Sequence, residues 1–408
     1  MKKIKFLLAL IILFLLFEAV FIIFIFNKII ISSKLLHYFI LIFASIICLE
    51  VSSRICYFLI YNKPYSFVSK IKFNKIYIEP HPYIPYVYKR NFEAQKETKA
   101  AYPLNNKENY YFPKLVSNNY RHNDGEFGNR DIINPKPINQ YRILCLGAST
   151  TGNYIKHKDK VYSYPLELEK ILNKLHPNRE ISVHNCGQGG WNSAEIMINF
   201  LLNLYDTSPD LVVIYHGYND IKHSLTSNFK SDYSHSRRNL AETYHLYRIA
   251  SYIPDIPLLI YNAFVSKVFP YINPRYGITQ AVSKGTSNIK NEFKGIDTYE
   301  RNIEHIIKVC KKSNIQVILS TFAHYMYDNI KKNDLHIRYH EGVREENKRI
   351  TKLAGKYNLP LIDINNKVAY KDENFVDSIH FSPIGMKFLA GEIGLAVSYT
   401  HLTLPTKA

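Results

Sequence analysis

The stretch RILCLGASTTGN, Arg142 to Asn153, decides the fold. Its first half is a run of apolar, strand-forming residues, and at Gly147 the run gives way to small residues and hydroxyls with Ser149 at the centre. An unbroken apolar strand is buried on both faces, as in a parallel sheet, and the residues just beyond it are presented at the sheet edge.

Working outward, the same punctuation recurs. SYPLELEKILNKLH reads as an amphipathic helix, ISVHNCG as a strand, NSAEIMINFLLNLY as a helix and DLVVIYHG as a strand. Farther on come the helix TYERNIEHIIKVCKKS, the strand IQVILSTF, the helix VREENKRITKLAGKY and the short strand LPLIDI. Strands alternating with helices at this spacing predict an α/β fold, a parallel sheet covered on both faces. Between Lys222 and Gly295 a long insertion interrupts the alternation, and its apolar, proline-punctuated half reads as a helical subdomain.

Before the sheet lie two other regions. Residues 64–140 are rich in Tyr, Pro and Asn without a helical period, and carry too many aromatics for a free linker, so they are expected to pack on the core as an extended approach segment. Residues 1–63 read as a membrane anchor. Phe6 to Phe26 is an apolar run long enough to span a hydrocarbon core. Its Glu18 costs at most about 3 kcal/mol, against about 0.3 to 0.6 kcal/mol gained by each central Leu, Ile or Phe, so insertion wins. The run has no small-residue cleavage site, which favours an uncleaved anchor.

A second run, Leu35 to Tyr61, carries Glu50 and Arg54 four apart on one helical face, where they can pair near the interface. One transmembrane helix and a helical hairpin both fit. The lysines flanking the two runs are balanced, so the positive-inside rule selects neither orientation. The tail SYTHLTLPTKA, Ser398 to Ala408, departs from the helical pattern before it and is expected to be non-native, replacing the native carboxy terminus.

The net charge of +18 over 408 residues comes with abundant Lys, Asn, Ile, Tyr and Phe, the signature of AT-rich coding sequence. Basic residues are spread along the chain, and no zinc-finger, RNA-recognition or P-loop pattern occurs, so nucleic acid is not an expected partner. Attraction to an anionic membrane or glycan surface is consistent with the charge. The five cysteines form no CxxC pair, and His216, His223 and His235 match no ligand spacing, so no metal or other cofactor is expected.

Ligands of an open parallel sheet bind beyond the carboxyl ends of its strands. Four groups fall there: Ser149 after the first strand, NCGQGGWNS with Gly187, Gly189 and Gly190 after the second, HGYND with Asn219 and Asp220 after the third, and Asp377 and His380 in FVDSIHFSP. Taken singly, each has an ordinary structural reading as a helix cap, a tight turn or a satisfied histidine. Together they contain what acyl transfer requires. Ser149 is a nucleophile, His380 accepts its proton, Asp377 fixes the imidazole, and the N–H groups of Ser149 and Gly190 with the Asn219 amide receive an oxyanion.

These blocks, LGAST, NCGQGG, HGYND and DSIH, stand in the order found in SGNH hydrolases, the superfamily of GDSL-type esterases, and the chain resembles that superfamily over roughly Tyr141 to Val397. The resemblance implies a flavodoxin-like three-layer α/β/α sandwich, with Ser149 as nucleophile, Asp377 and His380 as acid and base, and Gly190 and Asn219 in the oxyanion hole. The usual GDS reads GAS here; Ala148 replaces an aspartate that is neither nucleophile nor base. The anchor and approach segment resemble membrane-tethered bacterial members, with NDGEFGNRD where those carry N-x-x-G-x-R. The implied activity is a membrane-anchored esterase or deacylase acting on an acylated small molecule, cell-envelope glycan or lipid. An O-acyltransferase using the same site, or a catalytically idle glycan-binding scaffold, are the alternatives.

Overall fold

In the computed structural model, the chain is described continuously over residues 132–225, 229–233, 293–328 and 334–402, and over short stretches at 42–45, 78–79, 81, 83–84, 86–91, 93, 98–99, 110–113 and 120. It divides into two compact units, Met1–Ile76 with Glu242–Gly277 and Tyr77–Ala241 with Ile278–Ala408. In the first unit only residues 42–45 are described, as one helical turn. Apart from residues 42–45, the expected membrane runs and most of the insertion therefore lie outside the described residues. So does NDGEFGNRD. Among the described residues, no helix is long and apolar enough to cross a membrane.

The second unit is built on five parallel strands. They are β1 (Gln140–Leu146), β2 (Glu180–Asn185), β3 (Leu211–Ile214), β4 (Gln316–Ser320) and β5 (Leu361–Ile362). Their order across the sheet is β5-β4-β3-β1-β2, and every pairing is parallel. Ile143 of β1 faces Val183 of β2 on one side and Leu211 of β3 on the other. This is the flavodoxin-like order, and its switch point lies between β1 and β3, whose connections leave in opposite directions.

The layers arise from the pleat. Ile143 and Cys145 point to one face with Leu211 and Val213, while Leu144 and Leu146 point to the other with Val212 and Ile214. The first face is covered by α2 (Tyr164–Leu175) and, from the end of the chain, the last helix (Pro383–Val397), through Leu168, Leu172, Leu389 and Ile393. The second face is covered by α3 (Ser193–Asn199), α5 (Ile296–Lys312) and α6 (Asp334–Tyr357), through Ile196, Ile303, Ile307 and Leu353. All four side chains of β3 are fully buried. Each contributes about 1.5–3 kcal/mol, so a strand this short is held by its two faces.

Short elements complete the unit: α1 (Ser149–Gly152) after β1, α4 (Asn219–Ser224) after β3 and α7 (Ile364–Lys367) after β5, so the last helix is α8. The expected strands and helices are present, with local differences. The helix begun by α3 does not stay α-helical to Tyr205: it widens into a π turn over Phe200–Leu204 and tightens over Tyr205–Thr207, which buries Phe200 and Leu204. α6 begins at Asp334, ahead of Val343 where its periodic pattern starts. α8 runs on into a π turn over Ser398–Leu402, where Ser398 Oγ meets His176 Nε2 at 3.0 Å, so the first residues of the tail continue a helix.

A four-stranded antiparallel sheet was not read from the sequence. It joins Thr98–Lys99, Tyr111–Phe112, Ile155–His157 and Lys160–Tyr162. The tight hairpin at its end turns through Lys158 and Asp159, both at positive φ, without the Asn-Gly pair that usually announces such a turn.

Gly147, Gly152 and Gly187 let α1 lie directly on the turn after β2. A Cβ on Gly187 would collide with the Gly152 nitrogen and stand 2.7 Å from the Ala148 carbonyl oxygen. Neither is the movable end of a side chain. Gly187→Ala is therefore expected to destabilise the fold by about 1–3 kcal/mol, read as a lower denaturant midpoint at unchanged slope.

Candidate active site

Three of the site's loops follow the neighbouring strands β2, β1 and β3, and a fourth folds back from near the end of the chain. After β1, Ala148 leaves the strand with φ −102° and ψ −139°, and Ser149 is the first residue of α1. Its N–H therefore has no acceptor within the helix. α1 is a single turn, so any helix-dipole stabilisation there is small, and the local N–H groups are what remain to act on a developing charge.

The loop carrying Asp377 and His380 places the imidazole over Ser149. Ser149 Oγ lies 2.9 Å from His380 Nε2, and His380 Nδ1 lies 2.7 Å from Asp377 Oδ2. The other carboxylate oxygen, Oδ1, accepts from the backbone N–H of Ile379 at 2.9 Å and of His380 at 2.8 Å. Burial alone would raise the Asp377 carboxyl, but the His380 charge and these hydrogen bonds outweigh it and hold the group below the usual carboxylate range. An ionised carboxylate only accepts, so in the neutral ring Nδ1 holds the proton and Nε2 is left with a lone pair facing the Ser149 hydroxyl.

The glycine turn lies on the other side of Ser149. A Cβ on Gly189 would stand 3.9 Å from Ser149 Cβ. Gly190 has φ +79°, a left-handed conformation that favours glycine, and is exposed. Asn219 is tied to this turn: its Nδ2 donates to the Trp191 carbonyl at 2.8 Å, which commits one amide proton and leaves the second of the NH2 group. The structure thus gathers Ser149, Gly190, Asn219, Asp377 and His380 in one place.

Several residues behind the site were not singled out from the sequence. Asp220 was named only as the neighbour of Asn219. It is 2% exposed, and its carboxylate accepts from Ser193 N at 2.9 Å, Ser193 Oγ at 2.5 Å, His216 Nε2 at 2.7 Å and the Tyr233 hydroxyl. Burial raises this carboxyl, but His216 and the other donors outweigh it and hold the group low. The bonds fasten α4 to the start of α3, hence Asn219 to the glycine turn. Tyr233, placed by the sequence in the insertion, is part of this core.

Tyr218, just before Asn219, has φ +73° and ψ −50°, an outlier for a bulky residue and a strain of about 1–3 kcal/mol. Its N–H donates to Glu346 Oε2 at 2.9 Å, and its ring packs against Tyr339 at 4.8 Å. Glu346 is fully buried, and burial first and the Asp220 charge second push its carboxyl well above the usual range. From the approach segment, the Tyr86 hydroxyl donates to the Gly189 carbonyl at 2.7 Å, and Trp191 Nε1 donates to the Tyr86 carbonyl at 3.1 Å. No local pattern in the sequence marks Glu346 or Tyr86, because both act across long separations.

The sequence model of the GDSL-like Lipase/Acylhydrolase family matches residues 145–388, a span that holds every one of these site loops. The chain belongs to this family. It is an acylhydrolase, a serine hydrolase. Among solved structures, the acylhydrolase is similar to the lipase/acylhydrolase from Enterococcus faecalis, 19% identical over 66% of this chain and 100% of that chain, with TM-score 0.39. It is similar as well to an acetyl xylan esterase, 18% identical over 63% of this chain and 99% of that chain, TM-score 0.38. A third is a mutant acetylxylan esterase from Geobacillus stearothermophilus, 16% identical over 62% of this chain and 92% of that chain, TM-score 0.37. No curated protein sequence matches.

The lowered Asp377 carboxyl sets a pH dependence for the acylhydrolase. Because its folded value lies below the unfolded one, about 3.9, its contribution to stability is complete above that pH and is lost as pH falls toward the folded value. Asp377→Asn is expected to lower stability at neutral pH and to flatten the loss below about pH 4, measured by denaturant titrations across the acid range.

Proposed function

We propose that this acylhydrolase is a membrane-anchored serine esterase that removes an O-acyl group from a cell-envelope glycan or lipid, with Ser149 as nucleophile. The observation that carries the reading is the unbroken chain from Ser149 Oγ through the His380 ring to Asp377, with distances of 2.9 and 2.7 Å. The anchor and the envelope-facing placement rest on the apolar runs at residues 6–26 and 35–61 and on the resemblance to membrane-tethered members.

The reaction runs in two halves. Ser149 Oγ attacks the acyl carbonyl carbon while its proton passes to His380 Nε2, and the carbonyl oxygen becomes an oxyanion facing the N–H groups of Ser149 and Gly190 and the remaining Asn219 amide proton. His380 returns that proton to the alkoxide oxygen as the ester C–O bond breaks, releasing the alcohol and leaving an acyl-serine. Water then adds to the acyl carbon, giving its proton to His380, and collapse returns the proton to Ser149 and frees the carboxylic acid. Asp377 holds the imidazole in the competent tautomer and faces the imidazolium throughout.

Hydrolysis of 4-nitrophenyl acetate by the full-length chain in detergent tests this reading. Ser149→Ala should lower kcat by at least about a thousandfold, and Asn219→Ala by about a hundredfold to a thousandfold, with both chains folded. Turnover indifferent to Ser149→Ala would overturn it.

A further inference from the structure

Beside the triad lies a cleft of about 830 Å³, within the usual range of ligand sites, ~300–1,000 Å³. It is lined by the segment after β4, by His340 and Arg344 of α6 and by residues at and after α7. Two contacts join it to the site: Tyr325 N–H donates to the Ser378 carbonyl at 2.7 Å, inside the Asp-x-x-His loop, and the His324 ring lies 5.5 Å from that of Tyr218, the residue before Asn219. Two lining residues thus contact the loops that carry His380 and Asn219.

Its lining is aromatic and polar together. Tyr325, Tyr327 and Tyr370 give flat ring faces, with Tyr325 lying 5.8 Å from Tyr327 and 6.1 Å from Tyr370. Around them stand the amides of Asn365 and Asn366, the carboxylates of Asp328 and Asp372, and the guanidinium of Arg344. Its inner wall includes His324, 1% exposed, with Nδ1 3.2 Å from His340 Nδ1; its Nε2 is buried with no hydrogen-bond partner among the described residues. Burial, with His340 and His336 nearby, pushes this imidazole down to about 3, so it is neutral at ordinary pH and offers one donor or one acceptor.

This chemistry discriminates among ligands. A fatty acyl chain would have to cover carboxylates, amides and a guanidinium with hydrocarbon, stripping their water without replacing it. An anionic group would meet two carboxylates against one guanidinium. A sugar ring fits both halves: its C–H face lies on tyrosine rings, and its hydroxyls, each donor and acceptor, match a mixed set of carboxylate, amide and imidazole partners. We propose that this cleft is a subsite for a neutral pyranose residue, which forms the alcohol side of the ester. The ester role rests on Ser149 acting as nucleophile; the sugar site itself does not.

Equilibrium binding to the full-length Ser149→Ala chain in detergent tests it, with xylotetraose, mannotetraose and chitotetraose as neutral probes and ATP as the anionic one. The expected result is saturable binding of at least one neutral tetrasaccharide, weakened about tenfold or more by Tyr370→Ala and measurably by Asn366→Ala. Thermal unfolding of each variant checks folding, and if one fails to fold the other decides. Absence of binding by all the neutral probes, binding of ATP alone, or binding indifferent to both substitutions would overturn the proposal. A chain that binds sugar but hydrolyses 4-nitrophenyl acetate without Ser149 keeps the sugar site and loses the ester role.

Discussion

The buried carboxylate of Asp220 is the constraint on which the arrangement around Ser149 depends. It receives four donors from three different parts of the chain, and because it is buried those bonds are made at low dielectric. Removing any one donor would leave part of a buried charge unsatisfied, which costs more than a surface hydrogen bond contributes. The loop bearing Asn219 and the turn bearing Gly190 are therefore fixed to each other, and the space between them is set before any substrate arrives.

A second buried carboxyl, Glu346, has the opposite character. Asp220 has an imidazole and hydroxyls around it and stays ionised, whereas Glu346 is fully buried with one backbone N–H on one oxygen and no partner among the described residues for the other. Its role is to hold Tyr218 in a backbone conformation that a tyrosine does not adopt unaided. The strain is small against the core on either side, and it aims the following residue, Asn219, at the switch point.

Much of this was legible in the sequence, for definite reasons. The central strands are buried on both faces, so they appear as apolar runs, and the residues just beyond them are those the sheet presents. Asp377 and His380 were legible as a pair because their bond is local. The hairpin at Lys158 and Asp159 was hidden because Lys158 is a residue that rarely takes positive φ and no glycine stands in the turn. The early start of α6 was hidden because its first turns, Asp334 to Gly342, carry His, Arg and Tyr in place of a regular apolar stripe. The cleft at His324 and Tyr370 was invisible for a different reason. Its walls come from the segment after β4, from α6 and from the turn after β5, and acquire a shape only when β4 and β5 pair.

The hydrogen bond from Ser149 to His380 spans 231 positions of the chain, nearly the whole of the sheet-bearing region. During synthesis the serine, its glycine turn and the asparagine loop are all made before the histidine exists. The imidazole reaches Ser149 only through the connection between β5 and α8, whose docking closes the first face of the sheet. A partly made or clipped chain therefore holds Ser149 without its imidazole neighbour, and the pairing forms only once the last helix has found its place.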